Sequence, residues 1–388
     1  MKITAIKPVR LFCKCNPIAD ALSTSTGRQA LLIKIETDTD LYGIGEAFSY
    51  GAPLDAMSII LEKQIAPALI GEDPTNIEKL WNTMYWRTIA NGRRSLTMGV
   101  ISGIDIALWD LLGKTCHMNI AGLLGQCYDK IPSYASGGFY AEGKDVDALK
   151  KEIEGYVKKG YKDVKIKIGR TMDRAGAPLS YMANQKWAVS QEEDYERVRA
   201  AKSIIGSGLL AVDTNASWDS YTTLDHGRIL ADIGVKWIEE PIPFEDIDGY
   251  KRISKELTEL SIIGCETMQG ASNFETMVRE DALDILQPDI GWCGGITEIR
   301  KIGALAKMTG HKISLHCFGS AVLFAASLQM AAAMENTERI ESEENPNPLK
   351  TDIIKEPFDT DDNMSFIVPD GYGLGIDLDW NKIEALSL

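Results

Sequence analysis

Val164-Lys165-Ile166-Lys167-Ile168 alternates apolar and basic residues, the pattern of a β-strand whose two faces differ. Residues i and i+2 of a strand share a face, so both ammonium groups would enter one site. Downstream, five further polar residues each close a short, mostly apolar run. Asp213 follows 209–212, Glu239 follows 235–238, Glu266 follows 262–264, Asp289 follows 285–287 and His316 follows 313–315. Helical patterns at 146–159, 192–205, 220–233 and 296–309 separate these runs. Such alternation predicts a parallel sheet. This many units predict a closed barrel, in which chemistry sits at the C-terminal strand ends. The pattern thus predicts a cation site facing two kinds of base.

The strand candidates of this region are 131–136, 164–168, 209–213, 235–239, 261–266, 283–289 and 312–316, with 339–341 as a weak eighth. Upstream, 3–12, 29–36 and 42–48 read as strands, and 54–66, 76–89 and 96–113 as helices. The organisation expected is an α+β N-terminal capping domain (1–129), a modified TIM barrel of (β/α)7β type (130–355) and a C-terminal segment (356–388) that folds back on the capping domain. Two loops are expected at the site: 16–26, rich in small polar residues, and 170–191, longer than a usual βα connection. Arg170, Arg174 and Lys186 of the second could meet a distal carboxylate of a diacid substrate.

Composition narrows the function classes. The 388 residues carry a formal charge of −15 with no basic stripe, which argues against a nucleic-acid partner. No uninterrupted apolar run reaches the length of a membrane span. Met1-Lys2-Ile3-Thr4 reads directly into a strand rather than a signal peptide. Seven scattered cysteines, an odd number, suggest free thiols and a cytoplasmic location.

Three carboxylates, Asp213, Glu239 and Glu266, without His or Cys, suit a hard cation, Mg2+ foremost. Any one of them alone would be read as a solvated strand-end carboxylate; three at this spacing beside two lysines are harder to read so. In Glu239-Glu240-Pro241 adjacent residues point opposite ways, so one glutamate enters the site, and alternation selects neither. A lysine base must be neutral, and a second ammonium with a divalent cation nearby would lower its pKa from about 10.4 towards 7–8. Asp289, one strand before His316, can hold the imidazole in one tautomer and raise its basicity. Two decoys are weaker: 359–363 lacks the glycine and spaced glutamate of a calcium loop. The turn 291–295 lacks a basic partner for a phosphate, and a tight turn is the better reading.

In this order the residues resemble the enolase superfamily, mandelate racemase subgroup (mandelate racemase/muconate lactonizing enzyme family), over nearly the whole chain. The resemblance includes Ser102-Gly103-Ile104-Asp105-Ile106-Ala107-Leu108-Trp109-Asp110 of the capping domain. It implies that Lys165 neighbours the substrate carboxylate and Lys167 is a base on one face. Asp213, Glu239 and Glu266 would be the Mg2+ ligands, with Asn215 beside them, and Asp289–His316 the opposing base. Glu341 is the nearest match to a glutamate that helps stabilise the enolate in some members. Segments 286–289, 293–295, 316–320, 345–348 and 369–371 are similar to those of D-galactarolactone cycloisomerases. The implied partner is a small-molecule carboxylate, an acid sugar or its lactone, and the implied assembly a homo-oligomer, dimer or octamer. The implied chemistry is Mg2+-dependent abstraction of the proton α to a carboxylate. Dehydration of an acid sugar leads, and cycloisomerisation or racemisation is the alternative. A Schiff-base aldolase built on Lys165 or Lys167 has no use for three carboxylates, and a non-catalytic binder has no use for the complete set of acids and bases.

Overall fold

The alternation at 164–168 is one stave of a closed barrel. The computed structural model describes residues 1–92, 94–171 and 186–388. The chain begins with an antiparallel sheet of β1 (Ile3–Ala19), β2 (Thr24–Thr37) and β3 (Tyr42–Ala47). Four helices follow: α1 (Leu54–Ile59), α2 (Ile77–Gly92), α3 (Leu96–Cys116) and α4 (Ile120–Leu124). α3 packs against β3 so closely that a Cβ at Gly43 or Gly45 would come within 2.1 Å of the carbonyl oxygens of Ala107 or Gly103. By length and composition α3 could cross a membrane, but its apolar window is 89% buried inside the protein. Its acids are ties: Asp105 accepts from Thr297 (N at 2.9 Å, Oγ1 at 2.6 Å), and Asp110 from the amides of Ile44 and Leu374 (both 2.9 Å).

After β4 (Lys130–Ile131), eight parallel strands close the barrel: β5 (Ser133–Gly137), β6 (Val164–Lys167), β7 (Leu210–Asp213), β8 (Trp237–Glu239), β9 (Ser261–Gly264), β10 (Ile285–Leu286), β11 (Lys312–Leu315) and β12 (Thr337–Glu343). One helix stands in each gap: α5 (Val146–Lys159), α6 (Gln191–Ile205), α7 (Ser220–Ile233), α8 (Ile247–Glu256), α9 (Ala271–Arg279), α10 (Gly295–Met308) and α11 (Ala321–Ala333). This is the expected (β/α)7β arrangement. Tyr134, Ala211, Trp237, Ile263 and Ile285 form one apolar cluster within it. Beyond come α12 (Pro348–Thr351), β13 (Phe366–Ile367), which pairs antiparallel with β4, and α13 (Trp380–Ala385). The C-terminal end meets the first sheet, with the Leu388 amide on Arg10 O at 2.9 Å and the Phe12 amide on Leu386 O at 3.0 Å.

Four sequence expectations need correction. The weak eighth strand is the longest stave, seven residues. Its polar face hid it: Arg339 pairs with Asp163, while Glu341 is buried at the barrel mouth. The 16–26 loop is mostly strand, because β1 and β2 continue past a register shift between Lys14 and Ile18 that accommodates Pro17, leaving 20–23 as the turn. The strand expected over 131–136 splits at Pro132, which has no amide to donate. The helix expected over 54–66 is α only to Ile59, then π-helical and 3-10. Most of 170–191, Arg174 included, lies outside the described residues.

Candidate active site

Seven of the eight barrel strands, all but β5, deliver candidate side chains at or just beyond their C-terminal ends. Lys165 and Lys167 stand on β6, Asp213 ends β7, Glu239 ends β8 and Glu341 is on β12. Glu266, Asp289 and His316 lie just beyond β9, β10 and β11, and Asn215 two residues past Asp213. The backbone is bent to bring them in. Asn215, Ala216, Glu240 and Cys265 all hold positive φ (45°, 57°, 40° and 76°), a region non-glycine residues rarely adopt. Strain of this kind concentrates at functional sites. At Cys265 it breaks the strand alternation, so that Glu266 rather than its neighbour joins the carboxylates.

The charges are almost wholly buried and answer one another. Lys165 Nζ contacts Glu239, lies 2.8 Å from Glu341 Oε1 and 3.8 Å from Asp213 Oδ2; Lys167 Nζ contacts Asp213. His316 Nδ1 lies 2.7 Å from Asp289 Oδ2, whose partner oxygen Oδ1 accepts the Gly291 amide at 2.7 Å. His316 Nε2 lies 3.4 Å from Glu266 Oε2 and 3.9 Å from Glu341 Oε2, so Glu341 stands between the lysine and the imidazole.

Burial and neighbours set the proton affinities. Burial pushes Glu239 up to about 8 against the pull of Lys165. For Asp213 burial also raises the pKa, but Lys167 and Lys165 outweigh it and the net shift is down. Burial lowers both lysines, yet the carboxylates prevail: Glu239 and Glu341 raise Lys165, and Asp213 raises Lys167. The lowered lysine pKa expected from the sequence is therefore not produced by the protein's own charges, because Asp213 outweighs the neighbouring ammonium. His316 is likewise disfavoured by burial but carried up to about 10 by Glu266 and its bond to Asp289.

The donor set fits a hard divalent cation. One carboxylate oxygen from each of Asp213, Glu239 and Glu266 lies within 4.8 Å of the others. Glu266 Oε2 and Asn215 Oδ1 are buried without hydrogen-bond partners. An all-oxygen set suits Mg2+ rather than zinc or copper. Glu240 is buried but stands outside this cluster.

Sequence reasoning missed several neighbours. Gln287 donates to Glu239 Oε2 at 2.8 Å; a polar residue two before Asp289, inside an apolar run, was its signal. Tyr50 stacks on His316 with ring centroids 6.0 Å apart, and its hydroxyl donates to Glu266 O at 2.8 Å. Glu46 of β3 accepts from Ser320 and from the Leu323 amide (3.1 Å) at the start of α11. Neither capping-domain residue had a signal in its own segment. Arg170 and Lys186 take other parts than the one expected. The Arg170 guanidinium donates to Asp20 O and Lys186 O (both 2.8 Å), Ser23 O and Thr24 Oγ1 (both 3.2 Å), fastening the β1–β2 turn to the barrel, and Lys186 Nζ lies over the Trp187 ring. The turn at 291–295 serves domain docking: the Gly294 amide donates to Ser102 Oγ at 2.9 Å.

A capped (β/α)7β barrel with three converging carboxylates, two lysines and a His–Asp pair defines a class of enzyme that comparison bears out. Residues 4–125 match the mandelate racemase / muconate lactonizing enzyme N-terminal domain, and residues 148–382 the enolase C-terminal domain-like family. The chain belongs to the mandelate racemase/muconate lactonizing enzyme family of the enolase superfamily. It is 36% identical to arabinonate dehydratase of Saccharolobus solfataricus, across 95% of this chain and 96% of that one. It is 32% identical to D-galactarolactone cycloisomerase of Agrobacterium fabrum, across 100% and 99%. Among solved structures, a racemase from Streptomyces coelicolor with bound magnesium matches at TM-score 0.87 and 26% identity, covering all of both chains. The chain is an enzyme whose full-length relatives are lyases and isomerases.

Proposed function

We propose that this enzyme removes the proton α to the carboxylate of an acid sugar and that dehydration follows. One observation carries the reading: Lys167, His316, Glu266 and Asn215 wall a single cavity of about 490 Å3. Mg2+ held by Asp213, Glu239 and Glu266 would supply the positive charge that stabilises the developing enolate oxygens. Lys165 adds a fixed ammonium beside the substrate carboxylate. Lys167 takes the α-proton on one face. Asp213 is what raises this lysine, and a cation held by Asp213 would draw on the same carboxylate and favour the neutral amine. His316, held by Asp289, approaches from the other side; β6 and β11 are separated by β5 and β12 one way and by four strands the other. Its imidazolium gives a proton to the departing β-hydroxyl, water leaves, and the enol becomes a 2-keto-3-deoxy acid. The full-length likeness to a cycloisomerase favours a second outcome of the same first step, in which a lactone oxygen departs instead.

A panel of acid sugars and lactones incubated with Mg2+ in deuterated water tests this. Keto-acid formation or α-deuterium incorporation with at least one member is expected. A panel with neither, from folded and metal-loaded enzyme, would overturn the reading.

A further inference from the structure

The far wall of the cavity indicates what the rest of the substrate carries. Arg28 of β2 lines it and is 5% exposed. Its Nη2 donates to Glu343 Oε1 at 2.7 Å, its Nε to Pro346 O at 3.4 Å, and its guanidinium lies 4.4 Å from the centroid of Phe318, another wall residue. Nη1 is buried with no hydrogen-bond partner, and so is Glu343 Oε2. Among the described residues the other cationic side chains of the wall are Lys167 and His316, both at the reacting end. The hairpin contributes neutral hydroxyls, Ser23 to Thr26, and Asp20, whose Oδ1 accepts the amides of Leu22 (2.8 Å) and Ser23 (2.6 Å).

We propose that the enzyme selects sugar acids with a single carboxylate and an uncharged, hydroxylated far end, and that Arg28, neutralised by Glu343, is the residue that makes the selection; this rests on the reaction class proposed above. A buried guanidinium already paired with a carboxylate offers a hydrogen-bond donor but no free charge. A second substrate carboxylate placed there would lose its hydration with no free cation among the described wall residues to answer it. A hydroxyl both donates and accepts, so it can meet the wall hydroxyls of Ser23 to Thr26 and the paired Arg28 without bringing a charge. Selection here is partly exclusion, since Glu343 repels a distal anion that Arg28 alone would attract.

The test compares kcat/KM for each five- and six-carbon aldonate with that for the aldarate of the same stereochemistry. Wild-type enzyme is expected to favour the aldonate. Glu343→Gln frees the guanidinium charge and should raise the aldarate-to-aldonate ratio about tenfold or more, the change worth about 1.4 kcal/mol. Arg28→Met/Glu343→Gln removes both charges, avoids an unpaired buried cation, and should keep the aldonate preference while raising KM for aldonates. Circular dichroism and Tm establish that each variant is folded. A wild-type preference for aldarates, or a ratio unchanged in folded Glu343→Gln, overturns the proposal. Should Glu343→Gln not fold, an unaltered aldonate KM in the double variant overturns it. Absence of α-deuterium exchange with every acid in both series would instead overturn the reaction class, and this proposal with it.

Discussion

Two layers of side chains occupy the same barrel, and they differ in kind. Tyr134, Ala211, Trp237, Ile263 and Ile285 form an apolar plug. Two residues further along four of these strands stand Ser136, Asp213, Glu239 and Gln287, joined by Lys165 and Glu341, all buried. The lower layer gains stability by leaving water. The upper layer buries ions whose desolvation offsets much of their mutual attraction, so a protein selected for stability alone would gain by filling it with apolar groups. The lower layer is kept by packing, and the upper layer is explained by the chemistry proposed for it.

The largest effect is expected from unloading the upper layer. Chelation, or Asp213→Asn, should lower turnover by at least about 10³-fold through loss of charge stabilisation at the enolate oxygens. Mg2+ should restore the chelated wild type but not the variant. Full activity in verified metal-free protein would end the distinction.

Next in size is the exchange of roles between layers. Trp237→Ala should cost about 3–5 kcal/mol of stability by opening a cavity, read in denaturant melts, while activity per folded molecule changes far less. Glu239→Gln should do the reverse, abolishing activity at little cost in stability. A Trp237 variant with native Tm would show that the lower layer is not a packing device.

The smallest effect lies outside both layers. Glu46 is a buried acid at the domain boundary, and burial, against its bonds to Ser320 and Leu323, raises it to about 7. Its folded pKa is raised, so its stabilising contribution is complete at pH below the ordinary carboxyl value of 4.5 and is lost as pH rises through about 7. The whole change is about 3 kcal/mol. Wild-type Tm should therefore fall relative to Glu46→Gln as pH rises from about 5 to about 8. A difference independent of pH would show that Glu46 is ionised throughout.

Much of the upper layer was legible because strand periodicity places i and i+2 on one face. Lys165 and Lys167 follow from Val164, Ile166 and Ile168, and Asp213 and one member of the Glu239–Glu240 pair from the apolar runs they end. Less was legible where the chain departs from regular geometry. The choice between Glu239 and Glu240 came from likeness alone, since a positive φ at Glu240 leaves no trace in the residue type. Glu266 was named by its place after a run, although the turn at Cys265 that admits it was not foreseen. β12 was faint because its ion-paired and site-facing charges interrupt the apolar pattern. Arg28, Glu46 and Tyr50 carried no signal, because what defines them is contact between the capping domain and distant barrel loops.

We propose that Lys167 and His316 serve opposite faces of one substrate carbon framework. Solvent exchange at the α-carbon of a sugar acid that the wild type turns over, followed by NMR in deuterated water with Mg2+ present, tests it most directly. For a substrate deprotonated on the lysine face, Lys167→Ala should lose the exchange, while His316→Asn should lose product formation by about 10²–10⁴-fold yet still wash deuterium into the α-position. If His316→Asn turned the substrate over at the native rate, His316 would be structural and a single base would have to do the work of both.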